Sequence, residues 1–340
     1  GPGLTRSPAP TGSAAPEKLT HCERLLDLAD GIELFNFNGI AYGSVPVKGH
    51  LETMRVESKG FHLWLQHKFF QDENRPPTKQ ALQDAVGVFT GKAMFEGKHR
   101  EVFLRIASRE KKLYLDLCNE QWQVVEISEK GWKIIESVEA PVRFRRTKSM
   151  LALPHPIAGR DLSDLRSFIN VTDRDFVLVQ AWLVAAFRPN YPFTVLILSG
   201  TQGSAKSTTT SVLQSLIDPT LASRRSTPND ERNLAISANN SWVLAFDNMS
   251  FCKQWLSDAL CRLATGGSLT TRTLYENDEE TLFTAKRPII LNGIEDIATR
   301  ADLLERSLLV QLPKIDPKRR FDQETFDEAF DVLQPYILGA

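Results

Sequence analysis

Apolar and polar positions alternate in two different ways along the chain. In residues 17–29 (EKLTHCERLLDLA) the apolar positions recur at helical spacing and stop at Asp30-Gly31, a turn signal. The short alternating runs ELFNFN, IAYGSVPV and HLETMRV read as strands of a small sheet. FHLWLQHKFF (61–70) predicts a helix closed by the loop around Pro76-Pro77, and Thr78 is a suitable N-cap for another over 79–95. The runs EVFLRIAS, KKLYLDLC, QWQVVEIS, WKIIES and VRFRR then form a meander separated by charged turns. Residues 17–150 are therefore expected to form one compact α+β domain, with Pro154, Pro156 and Gly159 marking its end.

Beyond that boundary the period changes. Residues 162–169 and 176–187 predict two helices, the second stopped by Pro189 and Pro192. TVLILSG (194–200) is an uninterrupted apolar run rich in β-branched residues, the pattern of a strand buried on both faces. A helix is expected over 207–216, ending at Asp218-Pro219, with further strands over 241–246, 287–291 and 307–312. Strands alternating with helices point to an α/β fold with a parallel central sheet over residues 151–340.

The strand at 194–200 runs into Gly200, Thr201, Gln202, Gly203, Ser204, Ala205, Lys206, Ser207 and Thr208. This is a P-loop pattern with alanine at position 205 in place of glycine, a replacement the helix entrance is expected to tolerate. Successive backbone N–H groups there would form an anion-binding nest, supported by the N-terminus of the following helix. Lys206 would reach the β- and γ-phosphates of ATP, and the Ser207 hydroxyl would hold Mg²⁺. Asp247-Asn248 follows the strand SWVLAF, placing an acid where ligands bind outside the carboxyl ends of an α/β sheet. Asp247 would hold Mg²⁺ through water. Asn292 ends the next strand and is positioned to sense the γ-phosphate. Arg300 and Arg306 precede the strand 307–312, where an arginine could reach a neighbouring subunit's nucleotide.

Composition removes several alternatives. At 340 residues, 42% hydrophobic and 24% charged, the chain suits about two globular domains. A net charge of −1 excludes a uniformly basic nucleic-acid coat but leaves room for a local basic groove. Cys22, Cys118, Cys252 and Cys261 are scattered without a C-x-x-C pair, which suits a reducing cytoplasm and no zinc site. The histidines of the first region share no ligand spacing. Arg143, Arg145, Arg146 and Lys148 form a basic cluster that fits either phosphate contact or a guarded edge strand. No apolar run is long enough to cross a membrane. The Gly/Pro/Ser-rich residues 1–16 read as a cloning remnant and disordered leader, and the apolar ending DVLQPYILGA suggests that a C-terminal element is cut short.

The segments GTQGSAKST, AFDNMS, WLSDALCRLATGGSLTTRTLY and RPIILNGIEDIATRADLLERSL together resemble the AAA+ ATPase module of superfamily-three and poxvirus-type helicases. More closely, they resemble bacterial and phage-derived P-loop ATPases with an A-K-S-T loop. The resemblance covers residues 151–340 and implies ring oligomers, usually hexamers, that translocate along single- or double-stranded DNA and serve replication of mobile elements, with other replication proteins as further partners. It makes Lys206 and Ser207 the Walker A pair, Asp247 the Walker B acid, Asn292 sensor 1, and Arg306, then Arg300, the arginine finger. It also places a DNA-contacting hairpin after Gly266-Gly267, with Arg272, Lys286 and Arg287 as its basic residues, although Glu276, Asp278, Glu279 and Glu280 make that segment acidic. Asn248 stands where many such ATPases carry a water-polarising glutamate. A nucleotide-switched signalling or defence ATPase that moves no DNA is the alternative expectation.

Overall fold

The computed structural model describes residues 19–272, 280–294, 297, 300–316 and 322–340, and side chains outside 269–283. The described residues divide into two compact units, those within 19–46 and 53–100, and those within 47–52 and 101–340. The first carries α1 (His21–Leu28), β1 (Glu33–Phe37), β2 (Ile40–Val47), β3 (His50–Arg55), α2 (Lys59–Glu73), α3 (Lys79–Phe95) and β4 (Lys98–His99). Its helices begin where the sequence supplies caps: the Thr20, Ser58 and Thr78 side chains each accept a backbone N–H of the following first turn. The sheet runs β3-β2-β1-β4. Leu25, Phe35, Phe61, Leu65, Phe69 and Phe89 are buried, with Phe61 and Phe89 meeting edge to face.

The second unit opens with β5 (Val102–Phe103), then a four-stranded antiparallel meander of β6 (Ile106–Arg109), β7 (Lys112–Asp116), β8 (Val124–Ser128) and β9 (Gly131–Ile135). β10 (Arg143–Phe144) pairs with β5. The inward residues Ile106, Leu115, Leu117 and Val125 enter the same core as Leu165, Trp182, Leu196 and Leu213. The meander therefore belongs with the α/β unit, and the chain divides near Arg100 rather than at the expected boundary of 150. Strand alternation located the meander but could not say which core its apolar face joins.

The central sheet is built from β11 (Val195–Ser199), β12 (Leu244–Met249), β15 (Ile289–Gly293) and β16 (Ser307–Gln311), in the order β12-β15-β11-β16 and all parallel. Between them lie α5 (Lys206–Ile217), α6 (Glu231–Asn240), α7 (Gln254–Thr265), the antiparallel pair β13 (Ser268–Arg272) and β14 (Glu280–Thr284), and α8 (Ala301–Glu305). α4 (Asp173–Ala185) precedes the sheet and α9 (Gln323–Gly339) follows it. Val195, Leu196, Leu198, Leu244, Ala245, Ile289 and Ile290 are fully buried, as strands covered on both faces require. The outer edge of β12 is partly covered, because Arg225 bridges to Phe246 in parallel.

One buried charge pair ties this sheet to the meander. Arg105 donates through Nε to Asp218 Oδ1 (3.0 Å) and through its other nitrogens to the carbonyls of Asp116, Leu151 and Pro219. Asp218 caps α5, and its Oδ2 accepts the backbone N–H groups of Trp242 and Val243. Both side chains are excluded from solvent, at 0% and 1% exposure. The neighbouring basic cluster is also spent inside the fold. Arg143 bonds the carbonyls of Ala140 and Val142, Arg145 bonds Asn239, and Arg146 grips Asp116 while lying 3.8 Å over the Trp122 ring. These three arginines are thus bonded within the fold instead of forming the solvated guard of an edge strand.

Removing one partner of a buried pair leaves an uncompensated charge. Arg105→Ala is therefore expected to lower unfolding free energy by about 3–5 kcal/mol, measured by urea denaturation followed through tryptophan fluorescence. A loss below 1 kcal/mol would show that the junction is not structural.

Candidate functional site

Because the four strands are parallel, their carboxyl ends share one edge of the sheet, and the polar residues that end them meet there. β11 delivers Ser199 and Gly200. Leu198 lies beside Asn292 and Ser199 beside Gln311. Gly200 is required by close approach, since a Cβ there would lie 2.6 Å from Ser204 Oγ and 2.8 Å from the Leu312 carbonyl. The loop continues through exposed Thr201 and Gln202, Gly203 in the left-handed region, and fully buried Ser204. It enters α5 at Ala205, with Thr208 in the helix's first turn.

Ala205 is left-handed, with φ 64° and ψ 30°. An L-residue with a Cβ pays about 1–2 kcal/mol in that region. Tolerance of alanine, expected from helix propensity, is therefore corrected: Ala205 is the helix's N-cap, where backbone handedness rather than propensity decides, and glycine would be unstrained.

Lys206 folds back across the loop, its Nζ donating to the carbonyls of Gly200 (2.7 Å) and Thr201 (3.0 Å). Burial pushes the pKa of its ammonium down, while the Asp247 carboxylate pulls it back up. Ser207 Oγ donates to Asp247 Oδ1 at 2.8 Å. Those two residues, forty apart in sequence, thus present two oxygens together at the strand ends, a donor set of the hard type that Mg²⁺ takes. Asn292 is buried, at 1% exposure. Its Oδ1 accepts the N–H of Asn248 (2.9 Å), and its Nδ2 donates to Thr210 Oγ1 (2.8 Å). Thr210 in turn donates to the carbonyl of Lys206 (2.9 Å), so one buried amide links the position after the acid to the lysine's own peptide.

The two arginines lie at the opposite edge. Arg306 caps α8, and its carbonyl accepts the N–H of Val195, the first residue of β11. Five residues of strand, roughly 16 Å at about 3.3 Å each, separate that point from Gly200. Arg306 is exposed, whereas Arg300 pairs with Asp258 at 3.4 Å. Neither is brought to the P-loop of its own chain.

The model of the family described as actinomycete integrative conjugative element replication protein matches residues 162–340. The chain belongs to this family. Among solved structures it is similar to the C-terminal region of NrS-1, with a TM-score of 0.50 and 13% identity, covering 93% of this chain and 69% of that one. It is also similar to the SCCmec type IV Cch active helicase, with a TM-score of 0.45 and 12% identity, covering 90% of this chain and 59% of that one. At 13% identity the likeness to the NrS-1 region bears on the fold alone, an α/β architecture with a parallel sheet. No curated protein matches the chain. No helix among the described residues is long and apolar enough to cross a membrane.

In this replication protein the hairpin expected after Gly266-Gly267 is present as β13 and β14, paired Ser268 with Thr284 through Arg272 with Glu280. Gly266 itself is the left-handed C-cap of α7, φ 96°. Glu276, Asp278 and Glu279 lie outside the described residues, as do the side chains of Arg272 and Glu280. Arg287 is a correction. Its Nε donates to the carbonyl of Ala238, its Nη1 to that of Lys286, and its guanidinium sits 5.4 Å over the Trp242 ring. Burial, with Arg145 nearby, pushes its pKa down to about 10. It anchors the entry to β15 against α6, while Lys286 beside it is half-exposed.

Two participants escaped the sequence reading. Thr210 carried a faint signal, being a polar residue on the apolar face of α5. Asn170, whose Nδ2 donates to the carbonyls of Ser204 (3.0 Å) and Pro313 (2.6 Å), carried none, because loop asparagines are common. The structure also accounts for Asn248. Its φ is 56°, at a register shift between Phe246 and Met249, and asparagine enters the left-handed region more readily than most residues. Asn248→Gly is expected to keep stability within about 0.5 kcal/mol, whereas Asn248→Val loses about 1–2 kcal/mol. Urea midpoints at unchanged m-value check the contrast, and equal midpoints would remove the backbone explanation.

Proposed function

We propose that the chain is the ATPase module of a replication helicase serving a mobile element, binding ATP with Mg²⁺ at the P-loop and hydrolysing it between subunits of a ring. The observation that supports this most is the 2.8 Å contact between Ser207 and Asp247 beside a loop that opens at tightly packed Gly200. Lys206 would leave the Gly200 and Thr201 carbonyls for the β- and γ-phosphates, Ser207 would ligate Mg²⁺ directly, and Asp247 would hold it through water. Phosphoryl transfer depends mainly on positioning and charge stabilisation. Asn248 and Asn292 supply orientation; an amide can align water but cannot take its proton. The missing positive charge would come from Arg306 of a neighbouring subunit, since its own loop is a strand length away. Turnover is expected to be slow, and Lys206→Ala or Asp247→Ala to reduce phosphate release to background. Wild-type and Lys206→Ala proteins giving equal rates would overturn the reading.

The shared site has a sharper test. Arg306→Ala is expected to lower hydrolysis at least about 100-fold with little change in nucleotide affinity, as loss of an arginine finger does. Mixing it with Lys206→Ala should restore measurable activity, because one interface in the mixture regains both parts. Mixtures no more active than either parent would mean that Arg306 acts within its own subunit or not at all.

The hairpin with Arg272 and Lys286 would contact DNA through phosphates, so binding should weaken steeply with salt and depend little on sequence. Asn248 favours a second reading, a slowly hydrolysing switch that assembles on ATP and moves no DNA. The two part on one measurement. Single- or double-stranded DNA should raise the ATPase rate at low salt in a helicase, and leave it unchanged in a switch.

A further inference from the structure

The P-loop is held from outside by a residue thirty positions upstream. Asn170 lies in the loop before α4, between Ile169 and Val171, both buried, and Arg166 bonds the Val171 carbonyl. Its Nδ2 donates both to the Ser204 carbonyl and to the Pro313 carbonyl. Pro313 follows β16, where Leu312 N–H bonds the Ser199 carbonyl, so this contact fixes the amide to a wall that already supports the P-loop.

A trans peptide is planar, and its C=O and N–H point in opposite directions. Holding the Ser204 carbonyl toward Asn170 therefore aims the Ala205 N–H the other way, which on the nucleotide-binding reading is the side the phosphates would occupy. That orientation is what leaves Ala205 left-handed. Rotating the Ser204–Ala205 peptide would carry φ of Ala205 into the negative region that alanine prefers, and would turn a carbonyl toward the phosphates. Alanine thus gives this peptide a reason to flip that glycine does not.

We infer that Asn170 is a positioning residue for phosphate binding, which locks the Ser204–Ala205 peptide in its anion-binding orientation against the preference of Ala205. This rests on the nucleotide-binding reading above and deepens it. Its signature is a specific dependence between two positions: the clamp matters because residue 205 is alanine.

The test is titration of a fluorescent ATP analogue with Mg²⁺ into the full chain and five variants: Asn170→Ala, Asn170→Asp, Ala205→Gly, Asn170→Ala with Ala205→Gly, and Lys206→Ala. Asn170→Ala is expected to weaken binding about 5- to 30-fold, the equivalent of the left-handed penalty. The double variant should recover most of the loss and bind within about threefold of Ala205→Gly alone, because glycine accepts the left-handed conformation freely. Asn170→Asp keeps the shape but sets a carboxylate against two carbonyls, and should lose at least as much as Asn170→Ala. Urea midpoints separate this from misfolding, since a merely structural defect would lower the midpoint and would not be repaired in binding by glycine at 205. Wild-type affinity in Asn170→Ala, or a double variant no better than Asn170→Ala, would overturn the clamp. Wild-type affinity in Lys206→Ala would instead overturn the nucleotide reading on which it stands.

Discussion

Asp218 is the point from which the geometry of the sheet's working edge is set. Its backbone N–H closes the helix that begins at Lys206, and its carboxylate accepts the N–H groups of Trp242 and Val243, just before the strand that carries Asp247. Two rigid elements leaving one fixed charge arrive together at the far side, where Ser207 and Asp247 meet at 2.8 Å. A buried carboxylate can serve this way only if its charge is compensated, and Arg105 does so from the segment between β5 and β6. The antiparallel meander is therefore part of the α/β unit's construction, because it supplies the cation that the helix and strand share.

This explains what the sequence revealed and what it hid. Strand positions were readable because burial on both faces leaves runs such as TVLILSG, and residues at strand ends were readable because parallel topology sends them to one edge. Arg105 was not: it sits between apolar residues without a periodic signal, and its partner is more than a hundred positions away. Arg287 was misread for a related reason. A basic residue flanking a hairpin looks the same in sequence whether it faces solvent or, as here, lies over Trp242 and bonds the end of α6. Long-range pairing decides such residues, and local pattern carries no record of it.

Backbone handedness was the other hidden variable. Ala205 and Asn248 are both left-handed, one at the entrance to α5 and one at the exit of β12. Read as letters, they are a missing glycine and a missing glutamate. In the structure each is a matter of φ, and the two are solved differently. Asn248 is a residue type suited to its conformation and is held by Asn292 through its N–H. Ala205 is unsuited to its own, and the neighbouring peptide is held by Asn170.

Both solutions place rigidity where a phosphate-binding edge needs it, through amides that donate or accept but do not ionise. A glutamate after Asp247 would have to adopt the left-handed backbone without asparagine's preference for it. On the proposed reading, the edge is therefore built to bind and orient rather than to supply a proton acceptor. The charge that speeds phosphoryl transfer must then come from elsewhere, and exposed Arg306 sits at the opposite end of the sheet, where it serves its own loop least. On that reading, a site divided in this way would be inert in a lone subunit and complete only when copies meet, which would couple hydrolysis to assembly without any further regulatory part.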